Sequence, residues 1–147
     1  MSSSVVRISD ERIEQLRRIA QVRNSTIAGL IDAMVSASIE AGEIEDRLPG
    51  TSITVEGVVV RLAIVEGQPR PIVLTREEAR SLAGDLPAKA GTAGLTLLTS
   101  GDFVKVQASG RATTIVYDAE ARSDRAERIL TQSCAGDLAR QLRKAAA

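Results

Sequence analysis

The stretch from Ile27 to Ala41 constrains this chain most. Ile27, Leu30, Ile31, Met34, Val35 and Ile39 recur at spacings of three and four, which is the apolar stripe of an amphipathic helix. Between positions 27 and 41 there is no Lys or Arg, and only Asp32 and Glu40 carry charge. Such a helix carries more apolar surface than one neighbouring helix can cover, so it has to be packed against something more. Gly42 is its natural stop.

What precedes it is short. Val5 to Ile8 is β-rich, and under period-2 alternation Val6 and Ile8 face one side while Ser3, Val5 and Arg7 face the other. Ser9 has the character of an N-cap, with Asp10 and Glu11 where a helix dipole favours negative charge. Ile13, Leu16 and Ala20, with Ile19 flanking, then share one helical face. Asn24, Ser25 and Thr26 interrupt the pattern before the apolar helix begins. Arg7, Arg12, Arg17, Arg18 and Arg23 outnumber Asp10, Glu11 and Glu14 in this segment, although basic and acidic residues balance at 19 each over the whole chain.

EIEDRLPGT, residues 43 to 51, reads as a linker, and the texture beyond it is that of strands, which predicts a domain boundary near Pro49. Residues 53 to 56, 58 to 65 and 72 to 74 are expected as strands. Thr75-Arg-Glu-Glu78 has the form of a capping box opening a helix to Leu86, with Ala79, Leu82, Ala83 and Leu86 inward. LTLLT, FVKVQA and RATTIVYD predict three more strands. A long final helix is expected to bury Ala126, Ile129, Leu130, Cys134, Leu138 and Leu142. At an offset of 43, Gly67, Ile72, Val73 and Glu77 match Gly110, Ile115, Val116 and Glu120, so residues 51 to 147 are expected to form an α+β domain of two hairpin-helix units. Convergent hairpin composition explains the same matches.

Function is bounded mostly by what is missing. With no histidine and one cysteine, Cys134, the usual general base, the commonest metal ligand and any intrachain disulfide are excluded. The acidic residues read as solvated charge, and neither an enzyme nor a cofactor or metal site is expected. Phe103 and Tyr117 are the only aromatic residues, too few to stack the bases of a single strand, whereas duplex DNA needs no such platform. Without a long apolar stretch or a signal-like start, the cytoplasm is the expected compartment and no membrane is implied.

The order of strand, capped helix, polar break and apolar helix within residues 2 to 41 resembles the ribbon-helix-helix family of dimeric DNA-binding proteins. The carrying residues are the VVRI run, Leu16 with Ile19 and Ala20, the NST break, and Ile27, Leu30, Ile31 and Met34. The resemblance implies that residues 1 to 46 form a homodimer whose two Val5 to Ile8 strands pair as an antiparallel ribbon in the major groove of double-stranded DNA. It implies base-edge positions for Ser3, Val5 and Arg7, and a phosphate clamp at Asn24, Ser25 and Thr26, where amides open the second helix. A solvated Arg7 and an ordinary helix cap at Thr26 are the plainer readings of the same residues. The expected role is that of a transcriptional repressor; an antitoxin and a plasmid transfer or partition accessory are the runners-up. The rival is an interaction protein whose first segment only dimerises while residues 51 to 147 hold a protein partner.

Overall fold

A computed structural model describes residues 5–86, 93–119 and 124–147. The chain divides into two compact units between Glu45 and Asp46.

The first unit is a helical hairpin. Helix α1 (Asp10–Val22) is capped by the Ser9 side chain, which accepts from the Arg12 amide, and has Asp10 and Glu11 in its first turn. It ends because Asn24 adopts a left-handed conformation at φ 49°, which turns the Ser25 amide back to the Ala20 carbonyl at 2.8 Å and the Asn24 amide to Gln21 at 3.2 Å. Both last-turn carbonyls are thereby satisfied. Helix α2 (Ile27–Glu40) starts at the Thr26 cap and stops in the same manner, with Gly42 at φ 74° and the Glu43 amide on the Ser38 carbonyl. In the single chain, Val5 to Ile8 is not a strand: these residues carry no ladder bonds, and a lone strand without a neighbour has nothing to pair with.

The second unit is α+β. It runs β1 (Ser52–Glu56), β2 (Val59–Ala63), β3 (Ile72–Thr75), α3 (Arg76–Asp85), β4 (Ala93–Leu97), β5 (Phe103–Ser109), β6 (Ala112–Ala119), β7 (Asp124–Thr131) and α4 (Gln132–Ala145). Two antiparallel sheets result, β1-β2-β3 and β4-β5-β6-β7. The helices pack on each other and on the inner faces of both sheets, enclosing one core that includes Val60, Leu62, Leu82, Ile115, Leu138 and Leu142. The expected capping box is present: Thr75 accepts from the Glu78 amide, and Glu78 accepts from the Thr75 amide at 2.9 Å. Ala79, Leu82, Ala83 and Leu86 are all fully buried.

Three expectations for the second unit need correction. Residues 124–131 are strand β7, not the start of the last helix. Ala126 and Leu130, four apart, share a face in either geometry, but Ile129 is 65% exposed where a helix would have buried it. Thr131 then caps α4 by accepting from the Cys134 amide. The predicted linker is also not free, because Leu48 is buried, Thr51 donates its hydroxyl to the Leu48 carbonyl, and Asp46 binds Arg140 and Gln141. The second unit therefore starts at Asp46 rather than after Pro49.

Finally, the match at an offset of 43 lays the β2–β3 connection on the β5–β6 turn and does not describe the repeat. The three-stranded half β1-β2-β3-α3 corresponds instead to β5-β6-β7-α4. Gly57 and Gly110, at φ 59° and 60°, occupy the two tight hairpin turns. Thr75 and Thr131 cap the helices, and Ala79, Leu82, Ala83 and Leu86 answer to Ala135, Leu138, Ala139 and Leu142. The offset is 53 in the hairpins and 56 in the helices, since the stretch from hairpin glycine to helix cap is longer in the second half, Gly110 to Thr131 against Gly57 to Thr75, with longer strands on either side of its connection. Strand β4, on the outer edge of β5, has no counterpart beside β1 among the described residues.

Candidate nucleic-acid interface

Of the three expected base-edge residues, Ser3 lies outside the described residues. Val5 and Arg7 are exposed on the segment leading into Ser9. Arg7 makes no hydrogen bond or ion pair among the described residues. The arginines of α1 differ: Arg17 and Arg18 both lie against Glu14, at 3.6 and 3.5 Å, and Arg12 donates to Gln15 at 2.8 Å. Pairs of this kind on an exposed helix face contribute a few tenths of a kcal/mol and account for those side chains without any ligand.

Asn24, Ser25 and Thr26 are brought together at one corner, each with a local task. Asn24 supplies the left-handed turn. The Thr26 hydroxyl accepts from the Gly29 amide at 3.0 Å, and its carbonyl accepts from the Leu30 amide. Ser25 donates its hydroxyl to the Thr26 carbonyl at 3.4 Å and lies over Gly29, where a Cβ would come within 2.3 Å of the Ser25 oxygen. Gly29 is the residue that sequence reasoning missed, and a glycine three places after a cap was its only signal. With Gly29 bonded to the cap, the amides of Ile27 and Ala28 are the ones left facing outward from the helix start, as in any α-helix.

The apolar inventory of this unit is unusual. Ala20 is its one buried residue among those described, and α2 buries none. Met34 is 63% exposed, and Ile31, Val35, Ile19 and Val22 are exposed beside Val5, Val6 and Ile8.

In the second unit, shifted titrations trace to structural pairs. Burial and a 2.8 Å hydrogen bond to Asp102 push the Tyr117 hydroxyl up to about 12. Burial alone would raise the Glu78 carboxyl, but hydrogen bonds from Thr99 and Thr75 outweigh it and hold the group below the usual range. The outer face of the four-stranded sheet forms a shallow depression of about 470 Å³ lined by Phe103, Lys105, Thr114, Val116, Asp118 and Glu127, with both signs of charge. Among the described residues no group of three or more His, Cys, Asp or Glu side chains could hold a metal ion, and no helix is long and apolar enough to cross a membrane. No family model, curated protein or solved structure matches this chain.

Proposed function

We propose that this chain is a cytoplasmic, sequence-specific double-stranded DNA-binding protein, dimeric through its first unit and acting as a transcriptional repressor. In the proposed dimer, two Val5 to Ile8 segments pair as an antiparallel ribbon in the major groove, with Arg7 reading a base edge and Ser3 and Val5 beside it. The Asn24-Ser25-Thr26 corner presents the opening amides of α2 to a backbone phosphate. The observation that carries the reading is the exposure of α2, whose Ile31, Met34 and Val35 stay exposed and whose Ile27, Leu30 and Ile39 are only half-buried, while the segment before Ser9 has unpaired ladder groups. A second copy satisfies both needs at once.

Arg7→Ala tests it. An arginine bonded to guanine O6 and N7 discriminates by about 1 to 3 kcal/mol, so the variant is expected to lose 5- to 150-fold in affinity for the preferred duplex and to level preference among duplexes, at roughly that range. Gel shifts against DNA upstream of the chain's own coding sequence and a scrambled duplex, at two salt concentrations, read this out. An unchanged specificity ratio in a folded dimer would leave Arg7 a solvated side chain.

The second unit favours one further reading. It has its own core and a mixed-charge depression on one sheet, which suits a protein partner, as an antitoxin or a plasmid transfer or partition accessory would require.

A further inference from the structure

The two halves of the second unit differ at one place. The core-facing side chains of β5 are covered: Val106 is fully buried and Ala108 is 3% exposed. Their counterparts on β1, at the hairpin offset of 53, are Ile53 and Val55. Val55 faces inward in register with Val60 and Leu74, both fully buried, yet it is itself 47% exposed, and Ile53 is only partly buried. On the β5 side an antiparallel strand, β4, lies along the edge. On the β1 side no strand pairs with the edge among the described residues, so the three-stranded sheet ends at β1.

We infer that the free edge of β1 pairs antiparallel with β1 of a second copy, joining two three-stranded sheets into one of six strands. The strand is complementary to itself about Thr54. A two-fold axis there sets Thr54 against Thr54, Ile53 against Val55, and Ser52 against Glu56 of the other copy. The half-exposed Val55 gains an apolar neighbour on the core side, and each Glu56 faces a serine rather than another carboxylate. Cross-strand pairs of this kind are the unit from which sheet stability is built, and like charges directly opposite would have opposed it. Each Glu56 already has Arg61 at 2.8 Å on its own copy, so the pairing leaves its charge balanced.

The other edges suit self-pairing less. Strand β7 carries Asp124, Arg125, Glu127 and Arg128, and β3 is four residues long with Pro71 just before it, both devices that keep an edge from pairing. Strand β4 shows Leu95 and Leu97 on the outer face, but its inward residues Gly94 and Thr96 already lie against Asp85, so no core-facing side chain there waits for cover.

A ladder of five residues per copy is small, so it forms between chains already tethered together; in this the inference rests on the proposed dimer of the first unit. The test is Thr54→Cys in the full chain carrying Cys134→Ser, with Leu95→Cys in the same background as the comparison. Thr54 is exposed and points outward, and facing residues of an antiparallel pair lie about 4.5 to 5.5 Å apart at Cα, within disulfide reach. Mild oxidation is expected to convert Thr54→Cys almost wholly to a disulfide-linked dimer while Leu95→Cys stays reduced. Sedimentation of the reduced protein runs beside it. A dimer that fails to cross-link at position 54, or that cross-links equally at 95, overturns the β1 ladder and leaves the first unit's dimer standing. A monomer in sedimentation overturns the dimer and the ladder with it.

Discussion

Helices α2 and α4 have the same length, 14 residues, and opposite economies. Helix α4 buries Ala135, Leu138, Ala139 and Leu142 inside its own chain and turns its arginines and lysine outward; Arg143 and Lys144 also sit in its last turn, where they oppose the helix dipole favourably. Helix α2 is the more apolar of the two and buries nothing. The difference teaches that apolar content alone does not locate a core. What matters is how much facing surface the fold supplies, and for α2 it half-buries Ile27, Leu30 and Ile39 and leaves Ile31, Met34 and Val35 exposed.

The comparison is broken most strongly by cutting into each helix in turn. Leu138→Ala removes a fully buried core side chain and is expected to cost the second unit about 2 to 5 kcal/mol, independently of protein concentration. In the proposed dimer, Met34→Asp in α2 is expected to leave the second unit's melting unchanged and instead to shift the chain toward monomer, an effect that fades as concentration rises. Thermal melts at several protein concentrations separate the two. Concentration-independent loss in both variants would mean that α2 is covered within its own chain.

Much of this division was legible in the sequence. Caps are local signals, so Ser9, Thr26 and the Thr75–Glu78 box were readable from spacing alone, as were the inward residues of α3. Strand β7 was not, because Ala126 and Leu130 satisfy helix and strand periodicity equally and only Ile129 and the Thr131 cap decide between them. Non-local partners were invisible as well. Nothing local in EIEDRLPGT announces that Asp46 meets Arg140 or that Arg128 donates to the carbonyls of Ile64 and Pro49, at 3.0 and 2.7 Å. At the corner of Asn24, Ser25 and Thr26 the residue types were legible, whereas the packing of Ser25 on Gly29 depends on the angle at which the helices turn.

A middle-sized effect sharpens the contrast at the corner. Thr26→Ala removes the acceptor of the Gly29 amide, which is expected to cost about 0.5 to 2 kcal/mol of stability. Because the same amides are proposed to meet a phosphate, the variant weakens binding to operator and scrambled duplex alike, with no change in their ratio. Selective loss on the operator would move Thr26 from backbone grip to base reading.

The smallest effect lies at the start of the second unit. Asp46 accepts from Arg140 at 2.5 Å and from Gln141 at 3.1 Å, and the Arg140 hydrogen bond, with Gln141 and the nearby positive charge, outweighs partial burial to hold the Asp46 carboxyl below the usual range. Arg140 is about half exposed and also bonds Asp137, so solvent screens the pair and its contribution is about 0.2 to 1 kcal/mol. The folded pKa is lower than the unfolded value of about 3.9, so this stability is present above that pH and is lost as pH falls through the folded pKa. Asp46→Asn is therefore expected to melt slightly below the parent at pH 7, with the gap closing only below about pH 4. Calorimetry across that range reads it, and a gap that persisted unchanged into strong acid would assign the effect to packing around residue 46 rather than to its charge.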